Sequence, residues 1–357
     1  MLKLIFKFKF VYSFTKIIKQ KIMKNLFKIK LLLLVSFLGV FLTSCDDEEQ
    51  PVVTPDTTIT GLAKTNANLS ILVQALVKAN LAVTLQGTGP FTVFAPTNAA
   101  FNSFLTAGGF VTNGAPDINK VPTDVLTQVL LNHVVSGSVQ ASGLVNDKYI
   151  KTLAKGTASI DNTLSMYVNT TTGVRLNGAS SVITTTAGTT FNIIASNGVI
   201  HTVDAVIALP TIVTHALANP NFTSLVAVLT RAGNTTNFAA ILGGTVSSPF
   251  TVFAPTNVAF DEALIALSFA NLAAIPEPKL DKILKYHVIA GANVLAAGLP
   301  ATPTAQNTFL DQTFLIGTTG GAKITDKLGR VANIVATDVQ CANGVIHVLD
   351  KVIVPTL

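Results

Sequence analysis

Apolar positions recur along this chain with two different periods, and the periods alternate. Leu69, Leu72, Val73 and Leu76 stand at i, i+3, i+4 and i+7, one face of a helix. Phe222, Leu225, Val226 and Leu229 repeat that spacing, and Lys78-Ala-Asn80 and Arg231-Ala-Gly233 supply polar stops. These helices are predicted to open two successive units. Phe91-Thr-Val-Phe94 and Phe250-Thr-Val-Phe253 then read as buried strands. Pro96 and Pro255 remove a ladder donor and break them. In the turn that follows, a side-chain oxygen of Thr97 or Asn98, and of Thr256 or Asn257, can cap a short helix carrying Phe101 or Phe260. A further helix is predicted around Leu126, Val129 and Leu130, and again around Leu280, Ile283 and Leu284.

The remainder of each unit is rich in Thr, Val, Ile and Gly, as strands and turns are. Strands are predicted at Leu164–Val168, Val182–Thr184, Phe191–Ile194, Thr313–Ile316 and Ala322–Thr325. Asn197-Gly198 and Asn343-Gly344 read as type I′ hairpin turns, which need positive φ at both positions. A terminal strand, Val203–Leu209 or Leu349–Val354, is expected to close each unit. Helices early and strands late give an α+β class.

The two units are copies. Pro90–Asn98 returns almost letter for letter at Pro249–Asn257, and Asn197-Gly-Val-Ile-His-Thr-Val-Asp204 returns as Asn343-Gly-Val-Ile-His-Val-Leu-Asp350. Between the blocks lies a histidine among apolar residues, His133 after Asn132 and His287 after Tyr286. Three landmarks in one order, twice, define tandem domains at 57–210 and 211–357. Pro210–Thr214 joins them with almost no linker, which implies a semi-rigid pair.

These blocks resemble the fasciclin-type (FAS1) domain. Its first motif is similar to Thr-Val-Phe-Ala-Pro-Thr-Asn-x-Ala-Phe, and its last to Asn-Gly-x-Ile-His-x-x-Asp followed by an apolar segment and Pro. Both copies match both motifs; the central Tyr-His motif is complete only at Tyr286-His287. The resemblance implies two tandem domains, each a β-wedge of two sheets with surrounding helices, and an adhesive role. It implies a structural role for Pro96, Thr97, Asn98, Asn197, Gly198, His201 and Asp204, and for Pro255, Thr256, Asn257, Asn343, Gly344, His347 and Asp350. For Tyr286, His287, Val288 and Ile289, with Asn132 and His133 in the first copy, two readings stand: a contact patch for a partner, or side chains that finish a helix and pack inside.

Composition changes this picture in two places. The formal charge of +6 arises from nine Lys and no acid in residues 1–44; without them 15 basic and 18 acidic residues remain. The folded part is near neutral, so the basic balance gives no support for nucleic-acid binding. Of two cysteines, Cys341 sits in an apolar run at the position equivalent to Ala195 of the first copy and reads as core filler. Cys45 ends a leader (1–44) with a basic stretch from Met23 and twelve mostly apolar residues, Leu31–Leu42, too few for the ~20 that span a bilayer. Leu42-Thr-Ser-Cys45 resembles a bacterial lipobox, in which the cysteine carries lipid; an ordinary signal peptide is the alternative. Residues 1–22 are an unusually long n-region or precede the true start. Asp46–Glu49 reads as a surface-export signal or a solvated tether, and residues 45–56 as an acidic, Pro-containing linker.

Catalytic chemistry finds little support. His201 and Asp204, like His347 and Asp350, are three apart, so along a strand they face opposite ways. His215 is expected on the surface between copies. No His/Cys/carboxylate cluster has metal-ligand spacing and no phosphate-cradling loop occurs. Asn-x-Ser/Thr triplets at Asn68, Asn169, Asn221 and Asn234 are chance in a Thr-rich chain. The expected protein is a non-catalytic outer-membrane lipoprotein, on the cell surface or facing the periplasm, that binds a matrix or cell-surface protein or glycan without cofactor or metal. A periplasmic scaffold is the alternative, and a polysaccharide-active envelope enzyme a more distant one.

Overall fold

A computed structural model describes residues 55–183 and 192–357. The leader, Cys45 and the acidic run lie outside the described residues, as do Thr184 and Phe191.

Each copy begins one helix earlier than the apolar spacing indicates. In the first copy α1 (Ile59–Thr65) precedes α2 (Ser70–Lys78), with Thr58 accepting the Gly61 N–H as cap. Then follow β1 (Phe91–Pro96), α3 (Asn98–Ala107), a small hairpin β2 (Val111–Thr112) and β3 (Ala115–Pro116), α4 (Thr123–Leu131) and β4 (Val134–Ser136). The copy is completed by β5 (Lys148–Gly156), β6 (Ser159–Asn169), β7 (Arg175–Leu176), β8 (Ser180–Ser181), β9 (Ile193–Ala195) and β10 (Gly198–Val203). The second copy begins with α5 (Ile212–Ala218), α6 (Thr223–Leu229), α7 (Phe238–Gly243), β11 (Phe250–Pro255), α8 (Asn257–Ala266), α9 (Glu277–Tyr286) and β12 (Val288–Ala290). It ends with β13 (Thr304–Asn307), β14 (Thr313–Gly317), β15 (Lys323–Thr325), β16 (Val331–Cys341) and β17 (Gly344–Leu349). The connection at Pro210 passes directly into α5, whose Thr211 makes a capping box with Thr214.

At the heart of each copy the first-motif strand pairs in parallel with the last-motif strand: Phe94 lies opposite His201 in β1/β10, and Phe253 opposite His347 in β11/β17. In the second copy, seven strands run β12-β11-β17-β16-β15-β14-β13, because the eleven residues of β16 pass through both halves of the wedge. Register shifts in β16 between Ile334 and Val339 mark where the halves diverge. Among the described residues the first copy has the orders β4-β1-β10-β9 and β5-β6-β7-β8 beside the small β2/β3 hairpin, and an antiparallel bridge between Val182 and Val203 joins the two larger sheets. Each wedge holds two apolar clusters, one under the helices around Phe101 or Phe260, the other between the sheet halves around Phe94 or Phe253.

Two expectations need correction. The closing segments are not strands beyond Val203 and Leu349. Their backbone is held by side chains: Ile207 N–H donates to His133 Nε2 (2.8 Å) and Ile353 N–H to His287 Nε2 (3.1 Å). The Asn-Gly turns are not type I′. The turn residues are Ser196-Asn197 and Ala342-Asn343, none with positive φ, and the glycine is the first strand residue. Glycine is required there because a Cβ on Gly198 or Gly344 would overlap the carbonyl oxygen of Phe91 or Phe250.

The copies dock through the long β5–β6 hairpin of the first. Ser165 Oγ accepts the Gln340 N–H (3.0 Å), Ala158 N–H donates to Ala342 O (2.9 Å), and Lys151 Nζ donates to Asp338 O (2.8 Å). His215 is buried in this junction, contrary to its expected surface position, with its ring edge-on to Tyr149 at 5.3 Å.

Candidate functional site

The first motif is a stapling device. Thr97 and Thr256 accept the N–H groups of Ala100 and Ala259 and so cap α3 and α8. The adjacent asparagines reach a different helix. Asn98 Oδ1 accepts the Ile71 N–H at the start of α2 (2.9 Å), and Asn257 Oδ1 the Ser224 N–H at the start of α6 (2.9 Å). Their Nδ2 groups donate to Ala67 O and Pro220 O. Pro96 and Pro255 are the last paired strand residues, facing Val203 and Leu349.

The last motif works the same way. Asn197 Oδ1 accepts the Ile59 N–H (2.9 Å) while Nδ2 donates to Leu85 O and Gly87 O. Asn343 repeats this with Ile212, Leu242 and Gly244. Asp204 Oδ1 accepts the Ser181 N–H (2.6 Å), and Asp350 Oδ1 the Asn333 N–H (2.7 Å), so each carboxylate ties its strand end to a neighbour. His201 and His347 are buried, stack on Phe94 and Phe253, and bond through Nε2 to Val139 O and Val294 O. Neither bonds to the Asp three residues on.

The central motif is interior as well. His133 Nδ1 meets Val129 O (2.7 Å) and His287 Nδ1 meets Ile283 O (2.7 Å); with Nε2 accepting an N–H, each ring is neutral and carries its proton on Nδ1. Burial lowers both pKa values to about 4. Tyr286 is fully buried, donates to Thr313 O (2.8 Å) and packs edge-on to Phe314. Burial raises its pKa to about 12. Asn132 donates to Ile207 O and Ala208 O and accepts from Thr152. Val288 is buried and Ile289 half-buried, so this motif presents no exposed patch. His287 and Val288 border an almost wholly apolar cavity of about 50 Å³ under α5, α6 and α7.

Cys341 is buried, with its thiol pKa pushed up by burial. Among the described residues neither ring nitrogen of His215 has a partner in hydrogen-bond geometry, and burial lowers its pKa to about 3 against the opposing pull of the nearby Ser165 backbone. Sequence reasoning missed this junction because its contacts join residues fifty or more positions apart. Among the described residues no group of three His, Cys, Asp or Glu is placed to hold a metal ion, and no single helix is long and apolar enough to cross a membrane.

Comparison with known proteins matches both copies to one family. The Fasciclin domain family matches residues 67–210 and 220–355. A Synechocystis sp. protein, sll1483, is 36% identical over 151 residues, covering 41% of this chain and 74% of its own length. A fasciclin-like arabinogalactan protein of Arthroderma benhamiae is 32% identical over 159 residues, 44% of this chain but 34% of that protein. A solved FAS1 domain pair from the insect cell adhesion molecule fasciclin I covers 82% of this chain and 98% of its own at 21% identity and a TM-score of 0.47.

Proposed function

Since this chain belongs to the fasciclin family, whose domains generally take part in cell adhesion or extracellular-matrix interaction, we propose that it is a lipid-anchored adhesion or matrix-interaction protein of the cell envelope that performs no catalysis. One observation carries the reading: the polar residues of the duplicated motifs make hydrogen bonds that build the fold, and the motif histidines are interior. What recurs is therefore a display scaffold, leaving its outer faces to vary. Docked side by side on one anchor, the copies offer two weak contacts whose joint engagement adds avidity. Cys45 supplies the anchor through its thioether-linked lipid, and residues 46–56 form the tether.

The test has two arms. Protease shaving of intact cells, read with an antibody to the second copy, is expected to remove the signal without lysis. Beads coated with the full chain are expected to adhere to cell or matrix preparations. Protection until the outer membrane is ruptured would replace this reading with a periplasmic scaffold, and beads that adhere no better than albumin-coated ones would end the adhesive assignment.

A further inference from the structure

The two copies enclose a cleft that neither has alone. Its volume is about 430 Å³, and its walls come from the start of β5, the turn after α5, and the bulged stretch of β16. Tyr149, Phe222, Val339 and Val348 make an apolar floor, while Lys148, Asn221, Thr337 and Asp338 stand among its polar lining.

The walls are fixed before any ligand arrives. Asn219 Nδ2 donates to Tyr149 Oη (3.1 Å), Asn221 Nδ2 donates to Asp147 Oδ2 (2.8 Å), and both bonds cross from one copy to the other. Lys151 is held across the junction by Asp338 O (2.8 Å) and within its own copy by Ser165 Oγ (3.1 Å). In the bulge, Asp338 takes φ of +59° and its Oδ1 accepts the Ala296 N–H (2.8 Å), which leaves Thr337 on the exposed crest. Bulges re-aim side chains in this way.

Hydrogen-bonding capacity is left over. Among the described residues the Tyr149 hydroxyl accepts from Asn219 but donates its own proton to no partner. Asn221 Oδ1 and Asp338 Oδ2 accept nothing from the described residues, because the bonds these residues make there use their other atoms. Two lysines, Lys148 and Lys151, balance two aspartates, Asp147 and Asp338, so the cleft carries no net charge. An apolar floor, mixed donors and acceptors at the rim, and zero net charge match a neutral sugar, which has an apolar face and a rim of hydroxyls. An anionic or cationic ligand would leave one charge pair opposed. The size is in the usual range of small-molecule sites, ~300–1,000 Å³.

We propose that this inter-copy cleft binds the neutral, hydroxyl-rich end of a glycan. It deepens the adhesion reading above by naming a ligand class and a place. The test is saturation-transfer NMR on the full chain in detergent with five probes: cellotriose, maltotriose, mannotriose, N-acetylchitotriose and the acidic trigalacturonate. At least one neutral trisaccharide is expected to give a saturable signal, and trigalacturonate none. Thr337→Trp, which plugs the mouth from an exposed position, is expected to weaken binding tenfold or more with an unchanged melting curve. Tyr149→Phe, which deletes the hydroxyl together with the Asn219 bond to it, is expected to weaken it several-fold with an unchanged melting curve, and supports the same conclusion if Thr337→Trp fails to fold. Absence of any neutral-sugar signal, equal binding by both variants, or binding of trigalacturonate or a random peptide pool instead would overturn the proposal. Beads separate it from the reading it rests on. Wild-type beads that adhere while no sugar binds refute the cleft alone, and sugar binding without bead adhesion refutes adhesion alone.

Discussion

At the scale of single residues, the duplicated asparagines and histidines do the work of absent secondary structure. Asn343 satisfies one N–H and two carbonyls in a buried setting. Asn343→Ala is expected to cost about 2–4 kcal/mol, several hydrogen bonds with desolvated partners left behind, read by urea unfolding. Tyr286→Phe removes one bond and is expected to cost about 1 kcal/mol while leaving bead adhesion per folded molecule unchanged; a loss of adhesion with an intact fold would restore the contact-patch reading. The histidines give the pH dependence. His133 and His287 have pKa values lowered to about 4, and His215 to about 3. Below the unfolded value of about 6.5 the unfolded chain binds more protons, so stability is full above that pH and falls as it drops toward those folded values. The loss at pH 5 is about 2 kcal/mol per histidine. His215→Leu removes a buried ring whose only polar neighbour of note among the described residues is the Ser165 backbone, and is expected to stabilise the protein at pH 5 relative to wild type; His287→Leu strands the Ile353 N–H and is expected to destabilise it at every pH.

At the scale of elements, the helix faces at Leu69, Leu72 and Leu76, and at Leu280, Ile283 and Leu284, were legible because a 3.6-residue period reports burial directly. The closing segments depart from the strand expectation for an equally physical reason. Residues such as Val203–Leu209 have strand composition, but their partners are side chains from the β4 and α4 region, and composition does not reveal what a backbone pairs with. The asparagine of the first motif was legible as a cap but not as a cap for another helix, since Asn98 and Ile71 are 27 residues apart. The glycine of the last motif was assigned to a turn, whereas parallel neighbours demand it: Gly344→Ala is expected to push β11 and β17 apart at a cost of about 3 kcal/mol, visible as lost amide protection along Phe250–Pro255.

At the scale of the whole molecule, the repeat itself carried the fold class, while the docking of the copies was invisible to it. Gly156 lies against the backbone of Ala342, so Gly156→Val is expected to lift the β5–β6 hairpin off the second copy. Calorimetry should then resolve two unfolding transitions where one is expected for wild type, and scattering should give a larger radius of gyration. With motif residues interior and copies docked, the proposed adhesive role falls to the outer faces and the cleft. The direct measurement is attachment of cells lacking this chain, against the same cells complemented with it, to the matrix or partner cells of their natural habitat. A several-fold rise in attached cells on complementation is the expected result, and equal attachment with the chain demonstrably on the surface would contradict the account.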